Sequence, residues 1–190
     1  MSEPARQLFS FRDYLQLEED SGVKHEFLDG HVWAMAGGSP DHARIAANVI
    51  ALLATQLRGR RCAVFDSDLR VRVKATGLGT YPDLSVVCGS LELDPEDPKG
   101  HTITNPTVIV EVLSPSTEAY DRGEKLEHYQ QIASLQEVAL MAHDRRRIDV
   151  WRRTDGGWVQ IVAERDEAAA LASIDCDLPL AEVYRDPLAG

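Results

Sequence analysis

The stretch that decides the fold is residues 107–114, TVIVEVLS, a nearly continuous run of apolar and mainly β-branched side chains. Such a run is typical of a β-strand that is covered on both faces. Because side chains alternate along a strand, Glu111 shares a face with Ile109 and Leu113. A carboxylate there loses much of its solvation energy unless it meets a cation, a metal or strong hydrogen-bond donors. Two interpretations of Glu111 stay open: a structural ion pair with an arginine, and a metal ligand or acid/base group.

A second carboxylate begins another apolar strand. Residues 80–89, TYPDLSVVCG, place Asp83 directly after Pro82. Alone, an aspartate at the start of a strand is often only a turn or cap residue. If it converges with Glu111 at one opening of the sheet, the two carboxylates form a hard-oxygen site suited to Mg²⁺ or Mn²⁺.

Three further polar residues are candidates for the same site. Lys125 lies on a predicted helix that follows the Glu111 strand after a short turn, so the helix can return over the strand's end. The alternative for Lys125 is a surface ion pair with Asp121, four residues earlier. Glu26 is a candidate carboxylate or an exposed strand residue. His42, in the first turn of a long predicted helix, is a candidate site residue or a cap or packing residue.

The flanking segments predict helices and strands in mixed order. Ser10 caps a helix at residues 11–20, Asp29-Gly30 turns a hairpin within residues 24–38, and Ser39-Pro40-Asp41 opens a long helix over residues 42–60. The remaining predictions are strands at residues 62–66, 68–74, 83–88, 137–143, 146–153 and 157–164, a helix at 124–135, and an exposed loop at 91–106. The whole is one α/β domain over residues 1–190, a mixed β-sheet flanked by helices, with an N-terminal helix and hairpin and C-terminal antiparallel strands.

Composition limits the class of protein. A hydrophobic fraction of 44% is too high for intrinsic disorder. There is no apolar run of about 20 residues and no basic-then-apolar leader at the N-terminus, so we expect a cytoplasmic protein without a membrane partner. Cys62, Cys88 and Cys176 are widely spaced among apolar neighbours, and we expect three buried reduced thiols.

Several segments resemble one known family. Pro82-Asp83 followed by Glu111-Val112-Leu113 is similar to the PD-(D/E)XK nuclease motif, with Leu113 in place of its lysine. Beyond that motif, the segments HEFLDGHVWAMAGGSPDHARI, DLRVRV and NPTVIVEVLSPSTEAYDRGEKLEHY resemble the Uma-two-like restriction endonuclease family, formerly catalogued as a domain of unknown function. The resemblance covers nearly the whole chain and implies a restriction endonuclease-like fold with a divalent metal.

The resemblance also implies residue roles. In that family the lysine has moved from the strand to the following helix, where Lys125 stands here. Glu26 matches the acidic residue of the early E-x-x-D-G strand, and His42 matches the histidine that opens the long helix. We expect Glu26 to add a contact to a second metal or to the metal's surroundings, and His42 to contact phosphate or orient its neighbours.

These matches fit the chemistry of phosphodiester hydrolysis. Asp83 and Glu111, with a backbone carbonyl near Val112, could hold Mg²⁺, with Mn²⁺ as the alternative metal. Lys125 would orient or help deprotonate the attacking water and pair with phosphate charge. The sequence therefore predicts a Mg²⁺-dependent DNA endonuclease.

The formal net charge of −11 restricts how DNA could bind. Positive charge is concentrated in residues 57–74 and 145–153, so we expect weak, salt-sensitive binding there. The predicted contacts are Arg58, Arg60, Arg61, Arg70, Arg72, Arg145, Arg146 and Arg147. A homodimer is expected, since a small nuclease needs two sites to cut both strands. Two rival functions stay open: a non-catalytic nucleic-acid- or protein-binding module, and a metal-dependent hydrolase of small phosphoesters.

Overall fold

A computed structural model describes residues 8–35 and 37–189, and its centre is a six-stranded mixed sheet. The sheet order is β11-β10-β9-β8-β6-β3, with β8 and β9 parallel and the other neighbours antiparallel. The strands are β3 (Cys62–Asp66), β6 (Leu84–Cys88), β8 (Val108–Val112), β9 (Glu137–Met141), β10 (Arg147–Thr154) and β11 (Gly157–Glu164). The predicted mixed sheet is confirmed, and the TVIVEVLS strand lies in its interior.

A second, five-stranded sheet packs beside the first, in the order β2-β1-β5-β4-β7. Its strands are β1 (His25–Leu28), β2 (His31–Ala34), β4 (Arg70–Arg72), β5 (Gly79–Thr80) and β7 (Thr102–Ile103). The β1–β2 hairpin turns at Asp29 and Gly30, whose φ angles of 49° and 81° are the left-handed values that this tight turn requires.

The segment 91–106 is not simply the exposed loop that its prolines and acids predicted. It contributes β7, and its Asp94 and Asp97 are buried. Asp97 accepts hydrogen bonds from the Thr102 hydroxyl and two backbone N–H groups, and lies 3.5 Å from Arg70. The prediction failed because these acids are paired inside the protein rather than solvated.

Helices cover both faces of the central sheet. Ser10 caps the first helix, as predicted, and also forms a capping box with Asp13. The longest helix begins at Pro40, where it was predicted to open, and Ser39 is its cap. The predicted helix at 124–135 ends earlier, at Tyr129, and a short helix precedes it across Gly123. The helices are α1 (Phe11–Asp20), α2 (Pro40–Gln56), α3 (Glu118–Arg122), α4 (Glu124–Tyr129) and α5 (Leu180–Val183). A hairpin of β12 (Ala168–Leu171) and β13 (Cys176–Pro179), which the sequence did not predict, packs with α2 and α5.

The two faces of β8 contribute to two different cores. Val108, Val110 and Val112 pack in the cluster that contains α2 and the C-terminal hairpin. Ile109 and Leu113 pack in the cluster that contains the α4 side chains Leu126 and Tyr129. Glu111 alternates with the valines and therefore faces the α4 side, as the period-two pattern predicted.

The prediction of three reduced cysteines is wrong. Cys62 on β3 and Cys88 on β6 are register partners in an antiparallel pair and form a disulfide. Only Cys176 is a free, buried thiol among the described residues. The two paired cysteines are 26 residues apart, so their proximity arises from strand pairing and not from sequence spacing. The cysteines therefore no longer argue for a reducing compartment.

No helix in the described part of the chain is long and apolar enough to cross a membrane.

Candidate active site

One cleft contains all the side chains predicted for the site. It has a volume of about 760 Å³ and is lined by residues of α2, the β1–β2 hairpin, the end of β8 and the α3–α4 segment. The predicted residues that line it are Glu26, His42, Asp83, Glu111, Val112 and Lys125. The structure therefore brings together residues that are spread over about half of the sequence.

Lys125 reaches the cleft because the chain folds back after β8. The segment after Leu113 turns through Ser114, whose carbonyl accepts hydrogen bonds from the backbone N–H groups of Thr117 and Glu118. Helix α4 then begins at Glu124 and points Lys125 at the end of β8. Leu113, at the lysine position of the nuclease motif, is fully buried in the core.

Lys125 is the centre of a buried ion-pair cluster. Its Nζ lies 2.9 Å from Glu26 Oε1, 3.0 Å from Glu111 Oε1 and 3.5 Å from Asp121 Oδ1. The side chain is only 5% exposed, which excludes the interpretation of Lys125 as a surface lysine. Burial disfavours its charge, but the negative groups around it outweigh burial and raise the pKa of Lys125 well above its ordinary value. Lys125 is therefore a cation at neutral pH.

Glu111 is held by donors on both carboxylate oxygens. Tyr129 donates its hydroxyl to Oε1 at 2.6 Å, and the Asp83 N–H donates to Oε2 at 3.3 Å. Burial raises the pKa of Glu111 to about 8; the nearby Asp83 and Asp121 charges add to this shift, whereas Lys125 and Tyr129 oppose it. The positive charge of Lys125 is therefore not enough to offset the burial of the Glu111 carboxyl group.

Asp83 and His42 form the other half of the site. The Val112 N–H donates to Asp83 Oδ2 at 2.7 Å, and His42 Nε2 lies 3.0 Å from the same oxygen. The hydrogen bond with Asp83 raises the pKa of His42, although burial opposes the shift. His42 is oriented by its place in the first turn of α2, where its backbone N–H donates to the Ser39 hydroxyl.

Three hydroxyl groups of the site were not predicted from the sequence, and Asp121 was not among the predicted site residues although it contacts Lys125. Tyr129 donates its hydroxyl to Glu111, and Thr80 donates its hydroxyl to Glu26. Burial is the main cause that raises the pKa of Tyr120, and the nearby Glu26 carboxylate raises it further. The position of Tyr129, four residues after Lys125 on one helix face, was the signal for it. Thr80 gave no signal, because its contact depends on the pairing of β1 with β5.

A buried polar network supports the segment that leads into Asp83. The Tyr81 hydroxyl accepts hydrogen bonds from Arg70 at 3.0 and 2.7 Å and donates to Glu18 at 2.5 Å. Arg70 also donates to Thr102, and Glu18 contacts the His25 ring. Because Tyr81 precedes Asp83 by two residues, this network fixes the approach of the chain to the site.

The arginines predicted to contact DNA are mostly engaged within the protein. Arg70 is buried, so the prediction that it faces DNA is wrong. The Arg72 guanidinium lies 3.5 Å from the centre of the Phe11 ring. Four of the other predicted arginines form ion pairs within the protein: Arg60 with Asp175, Arg145 with Asp144, Arg146 with Asp166, and Arg147 with Asp149 and Glu164. Arg58 and Arg61 are exposed.

The donor set of the cleft suits a hard divalent cation with few protein ligands. Within residues 8–35 and 37–189, no three His, Cys, Asp or Glu side chains are arranged to hold a metal. Mg²⁺, however, is usually bound through one or two carboxylates and completes its shell with water and substrate phosphate. The cleft is lined by five acids, Glu26, Asp66, Asp83, Glu111 and Asp121, and by three basic side chains, Lys24, His42 and Lys125. An additional cation beside Asp83 and Glu111 would offset this excess.

The mixed α/β fold matches that of a nuclease-like solved structure. The structure is similar to that of a "putative nuclease belonging to DUF820" from Anabaena variabilis ATCC 29413, with a TM-score of 0.70 over 90% of this chain and 96% of that one, at 18% identity. At that identity the likeness shows the fold alone, and it confirms the predicted fold class.

The chain belongs to the Uma2 family, whose description is "Putative restriction endonuclease" and whose model matches residues 11–181. It is 38% identical over 175 residues to the uncharacterized protein slr1290 of Synechocystis sp., covering 91% of this chain and 90% of the relative. It is 32% identical over 148 residues to sll1609 of the same organism, also uncharacterized, covering 77% and 82%. The resemblance drawn from the sequence is confirmed.

Proposed function

We propose that this protein is a Mg²⁺-dependent endonuclease that hydrolyses DNA phosphodiester bonds in the cleft around Glu111. The observation that carries the proposal is the buried contact of Lys125 with Glu111, beside Asp83. Two acids and one lysine are the groups that the nuclease motif uses, and here the lysine comes from α4 instead of β8. Membership of the Uma2 family supports the same class of reaction.

Asp83 and Glu111 would hold the cation, with the Val112 carbonyl and Glu26 as further oxygen donors. A cation bound there supplies Lewis-acid stabilisation of the negative charge that develops on the phosphoryl oxygens. Mn²⁺ satisfies the same donor set.

Lys125 would act as a fixed positive charge. Because the surrounding negative groups raise the pKa of Lys125, its side chain stays an ammonium at neutral pH, and an ammonium has no lone pair with which to take a proton from water. Its role is therefore to orient the attacking water by hydrogen bonding and to stabilise charge on the phosphate. The hydrogen bond with Asp83 raises the pKa of His42, and His42 lines the cleft, where it would contact a phosphate oxygen.

Cleavage assays on supercoiled and single-stranded DNA test the proposal. We expect cleavage with Mg²⁺ or Mn²⁺ and none with EDTA, and loss of cleavage in Asp83→Ala, Glu111→Ala and Lys125→Ala. Lys74→Ala, which changes a half-exposed lysine paired with Asp94, is the control and should keep full activity. Metal-dependent cleavage that persists in all three site variants would refute the assignment of the site.

The rival functions lead to other outcomes of the same experiments. A non-catalytic module that binds nucleic acid or protein is favoured by Leu113 at the lysine position of the motif and by the net charge of −11. It predicts that nucleic acid stays intact although calorimetry detects metal binding. A hydrolase of small phosphoesters would cleave a chromogenic phosphodiester but no DNA. The proposed homodimer is tested by analytical ultracentrifugation with and without DNA.

A further inference from the structure

The register of the first hairpin places a tryptophan in the lining of the candidate active-site cleft. Glu26 on β1 and Trp33 on β2 are directly opposite each other. Directly opposite residues of an antiparallel pair project to the same face, with Cβ atoms about 5 Å apart. Glu26 contacts Lys125, so the Trp33 side chain lies on the hairpin face that borders the site, and it lines the same cleft.

Trp33 is unusually exposed for its size. It is 49% exposed, and β2 is the edge strand of its sheet. The neighbouring His31, two residues earlier and therefore on the same face, places its ring centre 5.9 Å from that of Trp33. An exposed indole ring stabilises the fold little, but it offers a flat surface beside the carboxylates that would carry out the chemistry.

The cleft is lined by more acids than basic side chains, which favours a substrate held by its bases. The cleft lining contains none of the arginines predicted to contact a phosphate backbone, and four of these, Arg60, Arg145, Arg146 and Arg147, pair with acids of the protein itself. Binding of a long duplex depends chiefly on free Lys and Arg along its backbone. Binding of a single strand gains from stacking of bases on aromatic rings, which needs base faces that a duplex keeps covered.

We propose that Trp33 is a stacking platform for an unpaired base of a DNA strand whose backbone lies at Lys125 and Asp83. The preferred substrate is therefore single-stranded DNA or an unpaired segment of a duplex. This inference rests on the proposed nuclease function and specifies the substrate of the same site.

Binding measurements on tryptophan variants test the inference. Wild-type protein, Trp33→Ala, Trp33→Phe and the control Leu93→Ala are titrated into labelled oligothymidylate, and into a duplex of the same length, in EDTA to prevent cleavage. Leu93 is a matched control because it is also 49% exposed and lies outside the cleft lining. We expect the wild type to prefer the single strand, and Trp33→Ala to weaken single-strand binding about tenfold while leaving duplex binding unchanged. Trp33→Phe should keep most of the affinity.

A second readout follows the indole itself. Oligothymidylate should quench the tryptophan fluorescence of the wild type but not that of Trp33→Phe, in which Trp151 and Trp158 remain. Equal single-strand affinity in wild type and Trp33→Ala would overturn the inference, as would tighter wild-type binding to the duplex. A change in oligomeric state in Trp33→Ala without a change in DNA affinity would also overturn it, and would make β2 a self-association edge.

Failure of this inference can be distinguished from failure of the proposed function. Loss of cleavage in Asp83→Ala, together with unchanged binding in Trp33→Ala, would remove the stacking role and leave the nuclease intact. Metal-dependent cleavage that survives in Asp83→Ala and the other site variants would refute the nuclease site whatever Trp33 does.

Discussion

Lys125 Nζ lies 3.0 Å from Glu111 Oε1, although Lys125 belongs to α4 and Glu111 to the interior of β8. Leu113 fills the strand position where the nuclease motif has a lysine, and its burial leaves no room there for a charge. A flexible four-carbon stem lets a helix lysine deliver its ammonium to the same place. In the proposed site, this contact would keep the charge arrangement of the motif, with the lysine supplied by α4.

Removing the Lys125 charge should destabilise the protein strongly. Lys125→Ala leaves Glu26 and Asp121 without their shared counter-charge in a buried site and removes a hydrogen-bond donor from Glu111; breaking a buried pair in this way costs about 3–5 kcal/mol. Urea denaturation measures the free energy of unfolding. Lys99→Ala, which removes a half-exposed lysine paired with Glu19, is the control and should cost less than about 1 kcal/mol. Equal losses in the two variants would show that Lys125 is not held as described.

Glu111 should make stability depend on pH. Its pKa of about 8 in the folded protein exceeds the ordinary value of 4.5, so the folded state binds a proton that the unfolded chain has released. The stability from protonated Glu111 is complete below about pH 4.5 and is lost as pH rises to about 8. We therefore expect the free energy of unfolding of the wild type to fall, relative to Glu111→Gln, across this window.

Urea denaturation of both proteins between about pH 5 and 9, with EDTA, measures this difference. Repeating the series with Mg²⁺ should reduce the alkaline decline in the wild type, because a bound cation stabilises the ionised carboxylate. A difference between the two proteins that is constant with pH would contradict the raised pKa of Glu111.

The sequence predicted best where a local pattern has a local cause. The alternation of TVIVEVLS correctly placed Glu111 on the face of Ile109 and Leu113, and Ser10 correctly marked the start of α1. The convergence of Asp83 with Glu111 was also predicted. Asp83 lies just before β6, Glu111 lies near the end of β8, and these antiparallel strands bring the two carboxylates to one opening of the sheet.

What the sequence did not predict depends on contacts between distant segments. The Cys62–Cys88 disulfide follows from the register of β3 with β6, and the contact of Thr80 with Glu26 follows from the pairing of β1 with β5. Asp97 was taken for a solvated acid because its buried partner Arg70 lies 27 positions away. Strand register and long-range charge pairing are set by the whole fold, so no window of sequence contains them.

His42 should titrate as a partner of Asp83. The hydrogen bond between His42 Nε2 and Asp83 raises the pKa of the imidazole above 6.5, so the ion pair stabilises the fold fully below about pH 6.5 and is lost as pH rises through the raised value. NMR titration of the His42 ring should show a lower pKa in Asp83→Asn than in the wild type. Asp41→Asn, which changes an exposed carboxylate paired with Arg44, is the control and should leave the pKa of His42 near its wild-type value. An unchanged His42 pKa in Asp83→Asn would contradict the pairing.

The disulfide should contribute to stability and make it sensitive to reductant. It joins β3 to β6, the strand that begins directly after Asp83, and closes a loop with a sequence separation of 26. Disulfides of this kind typically add about 2–4 kcal/mol, so thermal denaturation of the wild type should shift to lower temperature with a reducing agent. The double variant Cys62→Ser/Cys88→Ser should unfold at that lower temperature with or without reductant. Cys176→Ser removes only the free thiol and should keep the reductant shift; a wild type whose melting temperature does not respond to reductant, while its thiols become titratable, would refute the stabilising role of the bond.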